Sequence, residues 1–158
     1  LSIKLRHLDA WSTARQKNAK FYDEFFRNHG AVDTSVAVDA GGLPLRFPKA
    51  PAKGRHIYNQ YTIRVPAEIR DAVRQDLADR KIGTEIYYPV PLHQQACFRS
   101  LGYGDGSLPA TEQAAREVLS LPIFPELSSV QQQQVIEVLR GLCAAANAGG
   151  TPATAVAA

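Results

Sequence analysis

The first thirty residues limit this chain more than any other stretch. Apolar side chains stand at Leu5, Leu8 and Trp11 and again at Tyr22, Phe25 and Phe26, a helical spacing that holds for about eight turns. The run closes at Gly30, a residue suited to the left-handed position just beyond a helix C-terminus. A long helix with one apolar stripe cannot bury that stripe against itself, so the remaining residues must supply a second layer.

They are numerous enough to do so. At 158 residues, with 45% apolar and 21% charged side chains, the chain has the balance of one soluble globular domain rather than a disordered or fibrous segment. Its net charge of +3 is spread among interleaved acids and bases, which argues against a nucleic-acid surface. No apolar run reaches the roughly 18 residues of a membrane span, and the first residues lack the pattern of a signal peptide. Cys97 and Cys143 stand far apart without a CxxC, so neither a disulfide framework nor a metal site is signalled, and Cys143 reads as a core residue. A cytoplasmic protein without a metal is expected. The absence of methionine and the opening in mid-pattern at Leu1 read as part of a longer polypeptide.

After Gly30 the chain wanders through Gly41, Gly42, Pro44, Pro48 and Pro51, with one short β-prone run at Val36 to Val38. His56 to Val65 (HIYNQYTIRV) is rich in β-branched and aromatic residues and reads as a strand. Pro66 then opens a helix reaching about Lys81, and Gly83 leads into a second strand, Thr84 to Tyr88. This strand, helix, strand unit takes a right-handed crossover if its strands are parallel. A helical turn from Gln94 to Leu101, a glycine-rich loop from Gly102 to Gly106, and a helix from Pro109 to Leu119 follow. A third strand is expected over Leu121 to Phe124. Ser128 and Gln131 have capping-box spacing before a last helix that fades after Ala146. Residues 147–158 are expected to be a disordered tail.

The densest chemistry lies in Gly83 to Cys97 (GTEIYYPVPLHQQAC), where a strand delivers Glu85, Tyr87 and Tyr88 to a proline-stiffened corner holding His93. The carboxyl ends of strands are where open α/β sheets bind ligands. The structural alternative puts one tyrosine in the core and one at the surface, with His93 capping the next helix. Asn59 and Gln60 interrupt an apolar strand and so point to opposite faces, as ligand contacts or as hydrogen-bonded structural amides. Arg55 could hold an anion or stand solvated. His93 and Cys97 lack a third metal ligand, and none of Lys4, Lys17, Lys20, Lys49, Lys53 and Lys81 has the buried setting that lowers a lysine pKa. The residues alone define a two-layer α/β domain with a cleft near His93.

Four stretches in order carry a resemblance: Arg55 to Tyr61 (RHIYNQY), Gly83 to His93 (GTEIYYPVPLH), Leu101 to Tyr103 (LGY), and Leu119 to Leu127 (LSLPIFPEL). Together they resemble the C-terminal part of the DegT/DnrJ/StrS sugar aminotransferases, and the opening helix resembles the segment joining that family's two domains. The resemblance implies a small α/β (α+β, two-layer) domain of a fold-type-I enzyme: a connecting helix over residues 1–30, then residues 31–146 with a short sheet of about three strands. It implies amino transfer from glutamate to a nucleotide-linked keto-sugar by a homodimer, with pyridoxal phosphate bound by an N-terminal domain that this chain lacks. The lysine that carries the cofactor belongs to that missing domain, so no catalytic or cofactor-binding residue is expected here. The implied substrate-wall residues are Tyr88 and His93, then Tyr87, Glu85 and Asn59, with Arg55 added for its charge. Two other readings stand beside it, a non-enzymatic sugar-nucleotide-binding or dimerisation module and part of a sugar dehydratase. An uncovered apolar face would favour the enzyme part over the module.

Overall fold

The computed structural model of the chain describes residues 2–35 and 43–147. The expectations for Val36 to Val38, Gly41, Gly42, the burial of Cys143 and the tail beyond Asn147 lie outside the described residues. The opening stripe folds as two helices rather than one, α1 (Ser2–Leu5) and α2 (Leu8–Asn28), interrupted by a turn at Arg6 and His7. Only the later part of the stripe is covered. Tyr22 and Phe26 are fully buried, whereas Leu5 and Leu8 are exposed. Gly30 closes α2 with positive φ, its N–H donating to the Arg27 carbonyl at 3.2 Å while the Ala31 N–H donates to Phe26 at 2.9 Å. This pair of bonds is a Schellman closure, the use foreseen for that glycine.

Four short strands follow in one sheet of order β1-β2-β3-β4, one more than expected: β1 (Val32–Asp33), β2 (Arg46–Phe47), β3 (Tyr61–Arg64) and β4 (Val118–Leu121). β1 and β2 are parallel, and the other pairings are antiparallel. The strand expected from His56 begins only at Tyr61, because Tyr58 takes a positive φ that breaks extended backbone. Asn59 and Gln60 therefore precede the strand and are both exposed, which removes the argument that they straddle it. Within β3 the alternation does hold: Tyr61 and Ile63 are buried, Thr62 and Arg64 half-buried.

Between β3 and β4 in sequence come α3 (Ala67–Asp79), two short 3-10 turns (Leu92–Gln94 and Ala96–Leu101) and α4 (Pro109–Glu117). α3 ends in a second Schellman closure, with Lys81 rather than Gly83 in the left-handed position: Lys81 N–H donates to Ala78 and Ile82 N–H to Leu77. The strand expected at Thr84 to Tyr88 is reduced to one antiparallel bridge, Glu85 with Ser120 of β4. β3 and the Glu85 segment are both antiparallel to β4, so they run parallel to each other with β4 inserted between them. β4 itself starts three residues earlier than expected: Val118 to Leu121 pair in register with Arg64 to Tyr61, Leu119 and Leu121 are buried in the core, and Pro122 ends the pairing.

α5 (Ser129–Asn147) completes the helical layer. Ser128 caps it as its spacing implied: Gln131 N–H donates to Ser128 Oγ at 3.2 Å and Ser128 N–H to Gln131 Oε1 at 3.0 Å. Polar side chains tie α2 to this layer. Asn18 donates to the Phe124 carbonyl, Tyr22 to Pro122, and the buried Gln132 to the Asn18 carbonyl. On the opposite strand ends, Glu117 accepts from Arg46 and Arg64 at 2.8 and 2.7 Å, joining β2, β3 and α4 through one carboxylate. Among the described residues no buried side-chain nitrogen or oxygen lacks a partner.

Candidate functional site

The Glu85–Ser120 bridge, with N–H···O distances of 3.2 and 2.7 Å, pairs the backbone of the corner after Gly83 with the sheet. Ile86 is buried just beyond it, and from there the chain leaves the core. Tyr87 and Tyr88 are 45% and 70% exposed, so the alternative that one of them fills the core is wrong. The tyrosines of the core are Tyr22, Tyr58 and Tyr61 instead. Pro89 and Pro91 stiffen the corner, and the 3-10 turn after Pro91 swings the His93 side chain inward to 5% exposure.

There His93 Nε2 lies 3.0 Å from Glu112 Oε1. Glu112 stands in the first turn of α4, with its carboxylate also accepting the Gly106 N–H at 2.9 Å and the Leu108 N–H at 3.3 Å. The Gly106 amide foremost, and then His93, hold its carboxyl below the usual carboxylate range. Gly102 and Gly106 take left-handed φ values that let the loop fold back over this carboxylate. Gln94 ties the 3-10 turn to the same loop through Asp105 at 2.9 Å.

Together these segments enclose a recess of about 550 Å³. Tyr87, Tyr88, Leu92, His93, Phe98, Leu101, Tyr103, Leu108, Thr111 and Val118 contribute to it. Apolar side chains dominate the walls, and the residues with a polar group are few: three tyrosines, one histidine and one threonine. That pattern suits a partly apolar ligand oriented by a small number of hydrogen bonds.

The other expected contacts do not converge here. Arg55 and Asn59 border a separate recess of about 680 Å³ with His56, Tyr58, Gln60, Pro48 and Pro51. Arg55 is already engaged, its guanidinium 3.1 Å from Asp9 Oδ1 and 3.1 Å from Thr13 Oγ1. Glu85 is exposed at the bridge and lines neither recess. Glu112 was not foreseen, because nineteen residues separate it from His93. The available signal was an acid in the first turn of a helix that follows a glycine-rich loop and a proline.

All six lysines are exposed, so none has the enclosed, desolvated setting that lets a lysine hold a carbonyl cofactor covalently. Among the described residues no cluster of His, Cys, Asp and Glu could hold a metal, and no helix is long and apolar enough to cross a membrane.

Residues 1–140 match the model of the DegT/DnrJ/EryC1/StrS aminotransferase family, and the chain belongs to that family. Among its relatives, a Geobacillus stearothermophilus protein named "Pleiotropic regulatory protein" is 44% identical over 87% of this chain and 33% of its own length. The dTDP-3-amino-3,4,6-trideoxy-alpha-D-glucose transaminase of Streptomyces venezuelae is 34% identical over 89% of this chain and 33% of its own length. The crystal structure of S. venezuelae DesV superposes with a TM-score of 0.74 at 34% identity, covering 90% of this chain and 34% of that one. The chain therefore spans about a third of the length of the relatives it matches.

Proposed function

We propose that this chain is the small-domain part, a C-terminal one, of a pyridoxal-phosphate-dependent aminotransferase that moves an amino group from glutamate to a nucleotide-linked keto-sugar. The observation that carries the reading is the recess that brings Tyr87, Tyr88 and His93 together on one mixed apolar and polar wall. Two relatives are named for transamination or aminotransfer of nucleotide-linked sugars, one on a dTDP sugar and one on a UDP sugar, which supports the substrate class. Pyridoxal phosphate supplies an electron sink for the amino transfer. The exposed lysines do not fit the cofactor-holding role, so that role falls to residues outside this chain.

In this reading the chain binds and orients. Phenol hydroxyls of Tyr87 and Tyr88 and the imidazole of His93 set the pose of the sugar, each hydrogen bond contributing roughly 0.5–1.5 kcal/mol. The exposed Tyr88, Leu92, Leu101 and Tyr103 face ligand and the large domain of the intact enzyme, which works as a homodimer in the cytoplasm. Such an uncovered apolar face favours an enzyme part over a free-standing binding module.

The test is amino transfer by the intact protein loaded with pyridoxal phosphate. Glutamate alone should yield 2-oxoglutarate once per active site, and continuous turnover should require a nucleotide-linked keto-sugar. Loss of the sugar's hydroxyl as water without consumption of glutamate would point to the dehydratase reading. No reaction with either substrate would point to a binding module.

A further inference from the structure

The recess has one polar group whose orientation is set from behind. An ionised carboxylate can only accept hydrogen bonds, so the 3.0 Å contact with Glu112 requires the proton of a neutral His93 ring to sit on Nε2. Glu112 stays ionised because Gly106, His93 and Leu108 all donate to it. Nδ1 is then an acceptor. It has no protein partner among the described residues, and no buried polar side-chain atom there is left unpaired. Nδ1 therefore keeps its small residual access, and His93 gives onto the recess.

We propose that Glu112 is a positioning residue for this recess: by accepting Nε2–H it presents the His93 Nδ1 lone pair to the bound sugar, which must offer a hydroxyl or amide N–H donor there. The proposal rests on reading the recess as the sugar-nucleotide site. The same carboxylate, through Gly106, pins the loop that brings Tyr103 to the recess. One side chain thus fixes both the acceptor and the enclosure around it.

Two readouts on the intact protein test it. In long-range proton–nitrogen spectra of protein carrying nitrogen-15 histidine, the His93 ring should be protonated on Nε2. Glu112→Gln should give a mixture of tautomers, because an amide can donate as well as accept. Calorimetric titration with dTDP-glucose and with UDP-N-acetylglucosamine supplies the second readout. His93→Asn places an amide oxygen near the Nδ1 position and should keep affinity within a few fold. His93→Gln and His93→Leu should weaken it by about tenfold, the loss of one hydrogen bond. No binding of either sugar nucleotide by the unaltered protein overturns the reading of the recess and the proposal with it. Binding indifferent to all these His93 variants, or a ring protonated on Nδ1, overturns the proposal alone.

Discussion

Phe26→Ala should cost the fold about 3–5 kcal/mol, read as a lower urea midpoint with unchanged slope. Phe26 is fully buried near the C-terminus of α2, with its ring centroid 6.0 Å from Tyr22, 6.1 Å from Phe25 and 6.5 Å from Phe47 of β2. It joins the opening helix to the sheet, so truncation leaves a cavity between layers that the short β2 strand cannot close. Leu5→Ala is the matched control. Leu5 belongs to the same stripe in sequence but is 59% exposed, and its truncation should change stability by less than about 0.5 kcal/mol. Equal losses from the two substitutions would mean that the stripe is covered along its whole length.

Above about pH 10, the ordinary range of a tyrosine, stability should fall steeply. Burial pushes the hydroxyls of Tyr22 and Tyr61 well above that range, and Tyr61 is raised further by its 2.6 Å hydrogen bond to Asp23 and that carboxylate's charge. The sign follows from proton binding. The unfolded chain loses these protons first, so the neutral, folded form is favoured below the unfolded pKa and loses ground as pH rises toward the folded one. Each tyrosine contributes a slope of about 1.4 kcal/mol per pH unit in that interval. Tyr58 is pushed up too, by burial first and then by the Asp23 charge, so Tyr22→Phe removes one of three such groups and should lower the slope of stability against pH without abolishing it. At neutral pH it should cost about 1 kcal/mol, for the lost bond to the Pro122 carbonyl. A slope unchanged in Tyr22→Phe would show that this hydroxyl titrates in the folded protein.

The helices were legible because their signals are local. Gly30, the Ser128 capping box and the helical spacing of Tyr22 and Phe26 each act within one or two turns, and the structure uses them all. The strands were less so, because their limits depend on distant partners. The β-rich run from His56 loses its first half to a left-handed Tyr58, and Thr84 to Tyr88 keeps a single bridge, to Ser120, before the chain turns out of the sheet. Residues that share a segment were easy to group, and Tyr87, Tyr88 and His93 do line one recess. Asn59 and Glu85 were grouped with them by family likeness and Arg55 for its charge, yet Arg55 and Asn59 sit at another recess and Glu85 at neither. Glu112 meets His93 only through the fold of the glycine loop, and no periodicity in the sequence foretells that contact.

The central claim is that this chain shapes the substrate wall while a lysine elsewhere in the intact protein holds the cofactor. Borohydride reduction of that protein, saturated with pyridoxal phosphate, followed by peptide mapping, tests it most directly. The account predicts one modified lysine outside these 158 residues, whereas stoichiometric labelling of Lys4, Lys17, Lys20, Lys49, Lys53 or Lys81, or no labelled lysine at all, would contradict it.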